Sequence, residues 1–231
     1  MGDTLRISAP DGEFSAYKSA PKGDGPAPGL IIIQEIFGIN PFIKQVADHY
    51  AAKGFLVLAP DLFWRLEPGL SLNPETEFEA ALGLMTRFDQ DKGLEDIQTA
   101  ISALRAEPGC NGKVGAIGYC LGGRLAFLTA TRTDADASVG YYGVGIENFI
   151  SEKATISKPL MLHIAGEDGF VPDDAQKVIH EELEPIDCVE IHDYPERDHA
   201  FARWDHPAAY HEADAKLADD RTLDFLTSHL A

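Results

Sequence analysis

The chain has 231 residues, 45% hydrophobic and 25% charged, which is ordinary for a globular protein with a sizeable core. Its formal net charge of −19 argues against nucleic-acid binding, which needs clustered Lys and Arg, and disfavours anionic membrane surfaces. No segment has the length and apolarity of a signal peptide or a membrane span. We therefore expect one domain over residues 1–231, in a cytoplasmic monomer with no nucleic-acid and no membrane partner.

Short apolar runs rich in β-branched residues alternate with longer helical patterns. The first two runs, around residues 5–7 and 14–17, predict an edge hairpin that turns at residues 10–12. The strands predicted after it are, in chain order, 31–33, 55–58, 114–117, 138–142, 160–164 and 189–191. The predicted helices are 41–53, 74–88, 92–106, 123–131, 173–183 and 214–229. This alternation predicts an α/β fold with a mostly parallel central sheet and helices on both faces.

One cysteine lies inside a glycine-bracketed turn, Gly118-Tyr119-Cys120-Leu121-Gly122-Gly123, directly after the predicted strand 114–117. A turn from strand to helix exposes a nucleophile at the sheet edge, and its neighbours must be small to avoid the adjacent backbone. Most free cysteines are merely buried small apolar residues, but a core cysteine does not need this glycine bracket. Cys120 is therefore the candidate nucleophile.

The other two cysteines and the histidines show no spacing typical of a metal or redox site. Cys110, in a Pro-Gly-Cys-Asn-Gly loop, and Cys188, at the start of a strand-like run, are expected to be structural. Three widely spaced cysteines fit a reducing compartment better than a disulfide framework. The histidines form no zinc-binding pattern, so we predict no metal and no cofactor.

A cysteine nucleophile needs a base that increases its thiolate fraction, and a carboxylate that orients this base. His199 follows the strand 189–191, and Asp168 follows the strand 160–164, so both fall at strand ends. The order nucleophile, acid, histidine is that of α/β-hydrolases. Glu167 and Asp198 are alternative acids, while a histidine inside a strand, His163, is expected to be a packed core residue.

A second cluster, Gln34-Glu35-Ile36-Phe37-Gly38, follows the first buried strand. The backbone N–H groups of Ile36 and Leu121 are the candidate donors for an oxyanion hole. Glu35 directly follows the apolar strand, and burying a carboxylate without a partner costs several kcal/mol. We therefore expect a cation or a proton near Glu35.

Taken together, these segments resemble the dienelactone hydrolase family from end to end. The resemblance rests on Gln34-Glu35-Ile36-Phe37-Gly38, Pro60-Asp61-Leu62, Gly112-Lys113-Val114-Gly115, the Cys120 turn and His199-Ala200-Phe201-Ala202-Arg203. It implies an α/β-hydrolase fold and hydrolysis of dienelactone, 4-carboxymethylenebut-2-en-4-olide, to maleylacetate during aromatic degradation.

The resemblance also implies residue roles. Cys120, Asp168 and His199 form the triad, and Glu35 and Arg203 form a resting ion pair that substrate opens, so that Glu35 takes the thiol proton. Tyr141 is expected among the substrate-binding residues.

The sequence departs from the family pattern at one cation. The family binds the substrate carboxylate with a second arginine, and the matching position here is Ala80. Arg87 lies two helical turns further on and is the candidate replacement.

Two other functions stay open at this point. The chain could be a carboxylesterase or lactonase for another small acidic or activated ester, which the departure at Ala80 favours. It could also be a non-catalytic member of the fold in which Cys120 senses oxidants or contacts a ligand.

Overall fold

The computed structural model describes residues 2–23 and 25–231, so Met1 and Asp24 lie outside the described residues. The chain packs into two compact units, Met1–Ala116 and Ile117–Ala231. The single-domain organisation stays a prediction.

The first unit contains four strands, three helices and most of a fifth strand. They are β1 (Asp3–Ala9), β2 (Gly12–Ser19), β3 (Ala27–Ile33), α1 (Pro41–Ala52), β4 (Leu56–Pro60), α2 (Phe78–Arg87), α3 (Gln90–Ala106) and β5 (Cys110–Tyr119). The strand order is β1-β2-β4-β3-β5, with β3 parallel to β4. Strands β1 and β2 form the predicted edge hairpin, with Ala9 opposite Gly12.

Local sequence explains where these elements start. The isoleucines at positions 31–33 of β3 are fully buried, as expected of a strand in the middle of a sheet. Helix α1 starts where the Asn40 side chain accepts a hydrogen bond from the Ile43 N–H at 3.1 Å, with Pro41 in the first turn. Helix α3 is capped in the same way by Asp89, which accepts from the Lys92 N–H at 3.1 Å.

The second unit starts inside β5 and holds the remaining elements. They are α4 (Leu121–Arg132), β6 (Ala137–Tyr141), a 3₁₀ helix (Ile146–Thr155), β7 (Leu160–Ala165), α5 (Asp173–Leu183), β8 (Val189–Tyr194) and α6 (Glu212–Leu230). The strand order is β5-β6-β7-β8, and β6, β7 and β8 are mutually parallel. Helices α4 and α6 both pack against β6 and β7. Because β6, β7 and β8 are parallel, the loops after β7 and β8 lie at the same edge of the sheet.

The predicted α/β class with a mostly parallel sheet is confirmed, two local predictions are corrected, and one element was missed. Helix α2 starts at Phe78 and not at Pro74, because the Asn73 side chain accepts from the Glu75 N–H at 2.9 Å and holds this segment in a turn. The 3₁₀ helix Ile146–Thr155 was not predicted. Cys110 is the first residue of β5 and not a loop residue.

No helix in residues 2–23 and 25–231 combines the length and apolarity needed to cross a membrane. Within the same residues, no group of three or more His, Cys, Asp or Glu side chains is arranged to hold a metal ion.

Candidate active site

Cys120 lies at the turn between β5 and α4, as the glycine pattern predicts. Its backbone is strained, with φ 58° and ψ −115°, and its N–H donates to the Tyr141 carbonyl at 3.1 Å. A Cβ atom at Gly118 would lie 1.8 Å from the carbonyl oxygen of Gly122, so only glycine fits there. The tight packing of the turn fixes Cys120 at the end of β5 and at the start of α4.

His199 and Asp168 form the hydrogen-bonded pair predicted from their strand-end positions. The His199 Nδ1 atom lies 2.8 Å from the Asp168 Oδ2 atom, and Asp168 is only 4% exposed. The other carboxylate oxygen of Asp168 accepts from the Phe170 N–H at 2.8 Å. Both oxygens are thereby engaged, which fixes the orientation of the carboxylate.

The two alternative acids have different surroundings. Glu167 is exposed. Asp198 is also exposed, and its Oδ1 atom accepts from the backbone N–H of His199 at 2.6 Å, so it contacts the main chain and not the imidazole in this hydrogen bond. Of the three candidates, Asp168 is the buried one that contacts the imidazole.

The His199 imidazole also hydrogen-bonds to the Cys120 side chain. Burial lowers the pKa of His199, but the negative charges of Cys120 and Asp168, together with their hydrogen bonds, outweigh it and raise the pKa to about 10. The structure thus brings the three predicted residues together, with the imidazole of His199 between the Cys120 thiol and the Asp168 carboxylate. This arrangement can hold a thiolate next to an imidazolium.

Backbone strain marks the same region. Among the described residues, positive φ angles at non-glycine positions occur at Cys120 (58°), Tyr142 (37°) and Ala200 (64°). Tyr142 contacts His199, and Ala200 directly follows His199 in the sequence. Strained backbone persists only where packing over-determines it, and it is concentrated at functional sites.

Two aromatic residues that the sequence analysis missed pack edge-on against His199. The Tyr142 and Phe170 ring centroids both lie 4.9 Å from that of the imidazole. Tyr142 is buried and also contacts Phe201, whereas Phe170 is 54% exposed. These rings restrict the orientation of the imidazole, and no sequence pattern marked either of them.

Tyr141, predicted to bind substrate, is buried and its hydroxyl lies 2.6 Å from the Thr222 Oγ1 atom. The same Thr222 atom lies 2.9 Å from His163 Nε2, while His163 Nδ1 lies 3.0 Å from the Tyr194 hydroxyl. Burial lowers the pKa of His163 well below its ordinary value, so it is neutral. His163 is therefore the packed core residue that its strand position predicted. The substrate-binding role of Tyr141 stays a prediction.

Arg203 is 3% exposed and forms a bidentate ion pair with Asp205. Its Nε and Nη2 atoms donate to the two carboxylate oxygens at 2.9 and 3.1 Å. This pairing fixes the plane of the guanidinium. Asp205 was missed by the sequence analysis, although its separation of two residues from Arg203 is a local signal that could have found it.

In the first unit, the predicted residues fall after β3 and on α2. Glu35 and Ile36 are 2% and 4% exposed, and the neighbouring Gln34 side chain donates to the Glu35 carbonyl at 3.3 Å. Arg87 is exposed, and its Nε atom donates to the Gly83 carbonyl of its own helix at 3.3 Å. Ala80 is exposed as well.

The comparisons with known proteins agree with one another. The sequence model of the dienelactone hydrolase family matches residues 14–230. The chain belongs to the dienelactone hydrolase family. A putative carboxymethylenebutenolidase of Azospirillum brasilense is 43% identical over the whole of both chains. A carboxymethylenebutenolidase of Pseudomonas putida is 39% identical over 98% of this chain and 96% of its own.

A solved structure described as a putative dienelactone hydrolase from Klebsiella pneumoniae has 27% identity, covers 98% of both chains and superposes with a TM-score of 0.85. The predicted α/β-hydrolase fold is therefore confirmed. As a member of the dienelactone hydrolase family, the protein is a hydrolase that acts on ester or lactone bonds.

Proposed function

We propose that the protein hydrolyses dienelactone to maleylacetate through a covalent thioester on Cys120. The observation that carries this proposal is the hydrogen-bonded arrangement of Cys120, His199 and Asp168 described above. The relatives named carboxymethylenebutenolidase support the choice of substrate. As before, we place the reaction in the cytoplasm and in aromatic degradation.

In the first step, the Cys120 thiolate attacks the lactone carbonyl carbon. The developing oxyanion accepts hydrogen bonds from the backbone N–H groups of Leu121 and Ile36. When the tetrahedral intermediate collapses, the ring C–O bond breaks and the oxygen leaves as an enolate. The His199 imidazolium donates a proton to this leaving group and becomes neutral.

In the second step, neutral His199 removes a proton from water, and the resulting hydroxide attacks the thioester carbon. The C–S bond breaks, and the thiolate is restored beside the imidazolium. Asp168 holds the tautomer of His199 in which Nε2 is free to accept the proton from the reacting group.

Arg203 is the proposed partner of the substrate carboxylate. Its guanidinium is buried and already oriented by Asp205, so it can bind a planar carboxylate with little further loss of side-chain freedom. The resting pair of Arg203 with Glu35 belongs to the same proposal, on the strength of the family resemblance. The substrate contact of Tyr141 also belongs to it, as does the replacement role of Arg87, which rests on its spacing of two helical turns from Ala80.

The test compares kcat/KM for dienelactone with kcat/KM for a neutral aryl ester. We expect Cys120→Ala to abolish both, and Cys188→Ala, a half-exposed free cysteine, to change neither. We expect Arg203→Gln to raise KM for dienelactone at least about tenfold while leaving the neutral ester within about threefold. Substantial hydrolysis by Cys120→Ala would reject the covalent mechanism. An equal fall in kcat/KM for dienelactone and for the neutral ester in Arg203→Gln would reject the carboxylate-binding role.

A second candidate is a carboxylesterase or lactonase for a different small acidic or activated ester. The exposed position of Arg87, bonded to its own helix, favours this candidate because it supplies no evident second cation for the dienelactone carboxylate. A kcat/KM for dienelactone far below that for other acidic esters, with full dependence on Cys120, would select it.

A further inference from the structure

Gln34 is a polar side chain in an apolar place. It directly follows β3, whose last three residues are isoleucines, and it is fully buried. Burying an amide costs free energy unless its donor and acceptor groups find partners. The Gln34 Oε1 atom accepts from the Leu62 N–H at 3.0 Å, and its Nε2 atom donates to the Glu35 carbonyl at 3.3 Å. The side chain therefore joins the loop after β3 to the loop after β4.

The Leu62 N–H determines which way round the Gln34 amide lies. A backbone N–H can only donate, so the atom that faces it must be the amide oxygen. The NH₂ group then lies on the other side of the amide, where the Glu35 carbonyl accepts from it. The direction of the second hydrogen bond thus follows from the first.

The Glu35 carbonyl and the Ile36 N–H belong to one peptide group. A trans peptide group is planar, and its C=O and N–H bonds point in opposite directions. A side chain that holds the carbonyl oxygen therefore also fixes the direction of the N–H. The Ile36 N–H is one of the two donors in the proposed mechanism, so Gln34 acts on that donor from the opposite side of its peptide group.

The loop after β4 is itself held in place, so it can serve as an anchor for Gln34. The Asp61 carboxylate is buried and accepts from the Phe63 N–H at 3.1 Å and from the Gly69 N–H at 2.7 Å. The same two loops are also joined directly, because the Leu72 N–H donates to the Phe37 carbonyl at 3.0 Å. The segment that carries the candidate donor is thus bonded to its neighbour on both sides of the peptide group.

We propose that Gln34 is a positioning residue that acts through the Ile36 N–H, by holding the peptide group of Glu35 and Ile36 in the orientation that binds the oxyanion. This inference rests on the proposed function, in which the Ile36 N–H donates to the oxyanion formed from the lactone carbonyl. A donor that is already oriented stabilises the transition state without a cost of reorganisation at the moment of reaction. In this role Gln34 contributes to kcat without contacting the substrate.

The test compares ester hydrolysis with cysteine alkylation in Gln34→Met, whose side chain has a similar length and no amide. The parent protein carries Cys110→Ala and Cys188→Ala. Formation and hydrolysis of the thioester both pass through an oxyanion, so kcat for an activated aryl ester should fall at least about tenfold, with KM within about threefold. Alkylation of Cys120 by iodoacetamide is a substitution at a saturated carbon and forms no oxyanion. Its rate at pH 7 should stay within about twofold of the parent.

Gln34→Glu adds a pH signature that a merely structural role would not give. Its carboxylic acid form can accept from the Leu62 N–H and donate to the Glu35 carbonyl, as the amide does, whereas the carboxylate has no donor. Burial favours the protonated acid, so the ratio of its kcat to that of the parent should rise at least about fivefold from pH 8 to pH 5.5. The same ratio for Gln34→Met should not change with pH.

The matched control is Asn40→Ala. Asn40 is another buried amide in the same loop, but it caps α1 by accepting from the Ile43 N–H at 3.1 Å. Asn40→Ala should lower the midpoint of thermal unfolding and leave kcat within about twofold of the parent.

The proposal is overturned if kcat of Gln34→Met falls by less than about tenfold, if kcat and the alkylation rate fall in parallel, or if Asn40→Ala loses as much kcat. A pH-independent kcat ratio in Gln34→Glu also overturns it. If only Gln34→Met fails to fold, the pH profile of Gln34→Glu decides. If neither variant folds, the side chain serves the fold and not the donor, and the proposal is wrong. A failure of the proposed function would appear separately, as ester hydrolysis that persists in Cys120→Ala.

Discussion

The pairing of His199 with Asp168 gives the sharpest prediction, for the substitution Asp168→Asn. The Asn side chain can keep the oxygen that accepts from the Phe170 N–H, so the loop should retain its shape. At the other position, an NH₂ donor replaces the oxygen that lies 2.8 Å from His199 Nδ1. The imidazole must then accept at Nδ1 and carry its proton at Nε2, where it can no longer accept a proton from a thiol or from water.

This wrong tautomer should lower kcat by about 10²- to 10⁴-fold, which corresponds to about 3–5 kcal/mol in the activation free energy. Removing the buried negative charge should also lower the pKa of His199, which the wild-type site raises to about 10. Because the proposed mechanism requires the His199 imidazolium to protonate the leaving group, kcat/KM of the wild type should fall as pH rises through about 10. In Asp168→Asn this decline should begin about 1–3 pH units lower.

The assay is stopped-flow hydrolysis of an activated aryl ester from pH 6 to 10.5, with circular dichroism to verify the fold. The matched control is Asp198→Asn, which changes a carboxylate that contacts the His199 backbone and should cost less than about fivefold in kcat. The reasoning is refuted if Asp168→Asn stays within threefold of the wild type, or if its alkaline decline does not move.

Three further predictions concern folding and stability. Gly118→Ala should lose soluble expression or at least about 100-fold in activity, because its Cβ would lie 1.8 Å from the Gly122 carbonyl oxygen. His163 is buried and neutral in the folded protein, whereas in the unfolded chain it takes up a proton below its ordinary pKa of 6.5. The free energy of unfolding should therefore keep its full value above pH 6.5 and fall by up to about 1.4 kcal/mol per pH unit below it. Arg65→Gln should cost about 3 kcal/mol of stability, because it leaves the 1% exposed carboxylate of Asp96 without its cation.

Each of these has a matched comparison. Gly83→Ala, on an open face of α2 where an added Cβ meets nothing within 4 Å, should be tolerated. His163→Gln should flatten the acid side of the stability profile, and an unchanged slope would mean that another group titrates. Lys216→Gln, which breaks an exposed pair with Asp220, should cost at most about 1 kcal/mol in urea unfolding. If Arg65→Gln also lowered the free energy of unfolding by no more than about 1 kcal/mol, the burial of Asp96 would not make its ion pair more stabilising than an exposed one.

Much of the fold was predictable because hydrophobic periodicity determines which segments can be buried. The buried isoleucines of β3 and the amphipathic α5 gave clear signals, and the predicted range 173–183 of that helix matches the structure. The 3₁₀ helix Ile146–Thr155 escaped prediction because its three-residue turn leaves no 3.6-residue periodicity. The late start of α2 depends on a hydrogen bond from the Glu75 N–H to the Asn73 side chain, which competes with helical bonding.

The candidate site likewise contains residues that the sequence predicted and residues that it did not. Cys120 was predictable because its turn demands glycines, and His199 and Asp168 followed from the rule that parallel strands end at a common edge. The contacts of Tyr142 and Phe170 with the imidazole depend on loop conformations, including a positive φ at Tyr142, which periodicity does not encode.

The central claim is that the Cys120 sulfur forms a bond to the acyl group of the substrate. It is tested most directly by mixing the protein with excess aryl ester or dienelactone, quenching with acid within milliseconds, and mapping the modified peptide by mass spectrometry. The account predicts one acyl group on the peptide that contains Cys120, formed at a rate no slower than kcat. Turnover at full rate without any adduct on this peptide, together with persistent activity in Cys120→Ala, would contradict it.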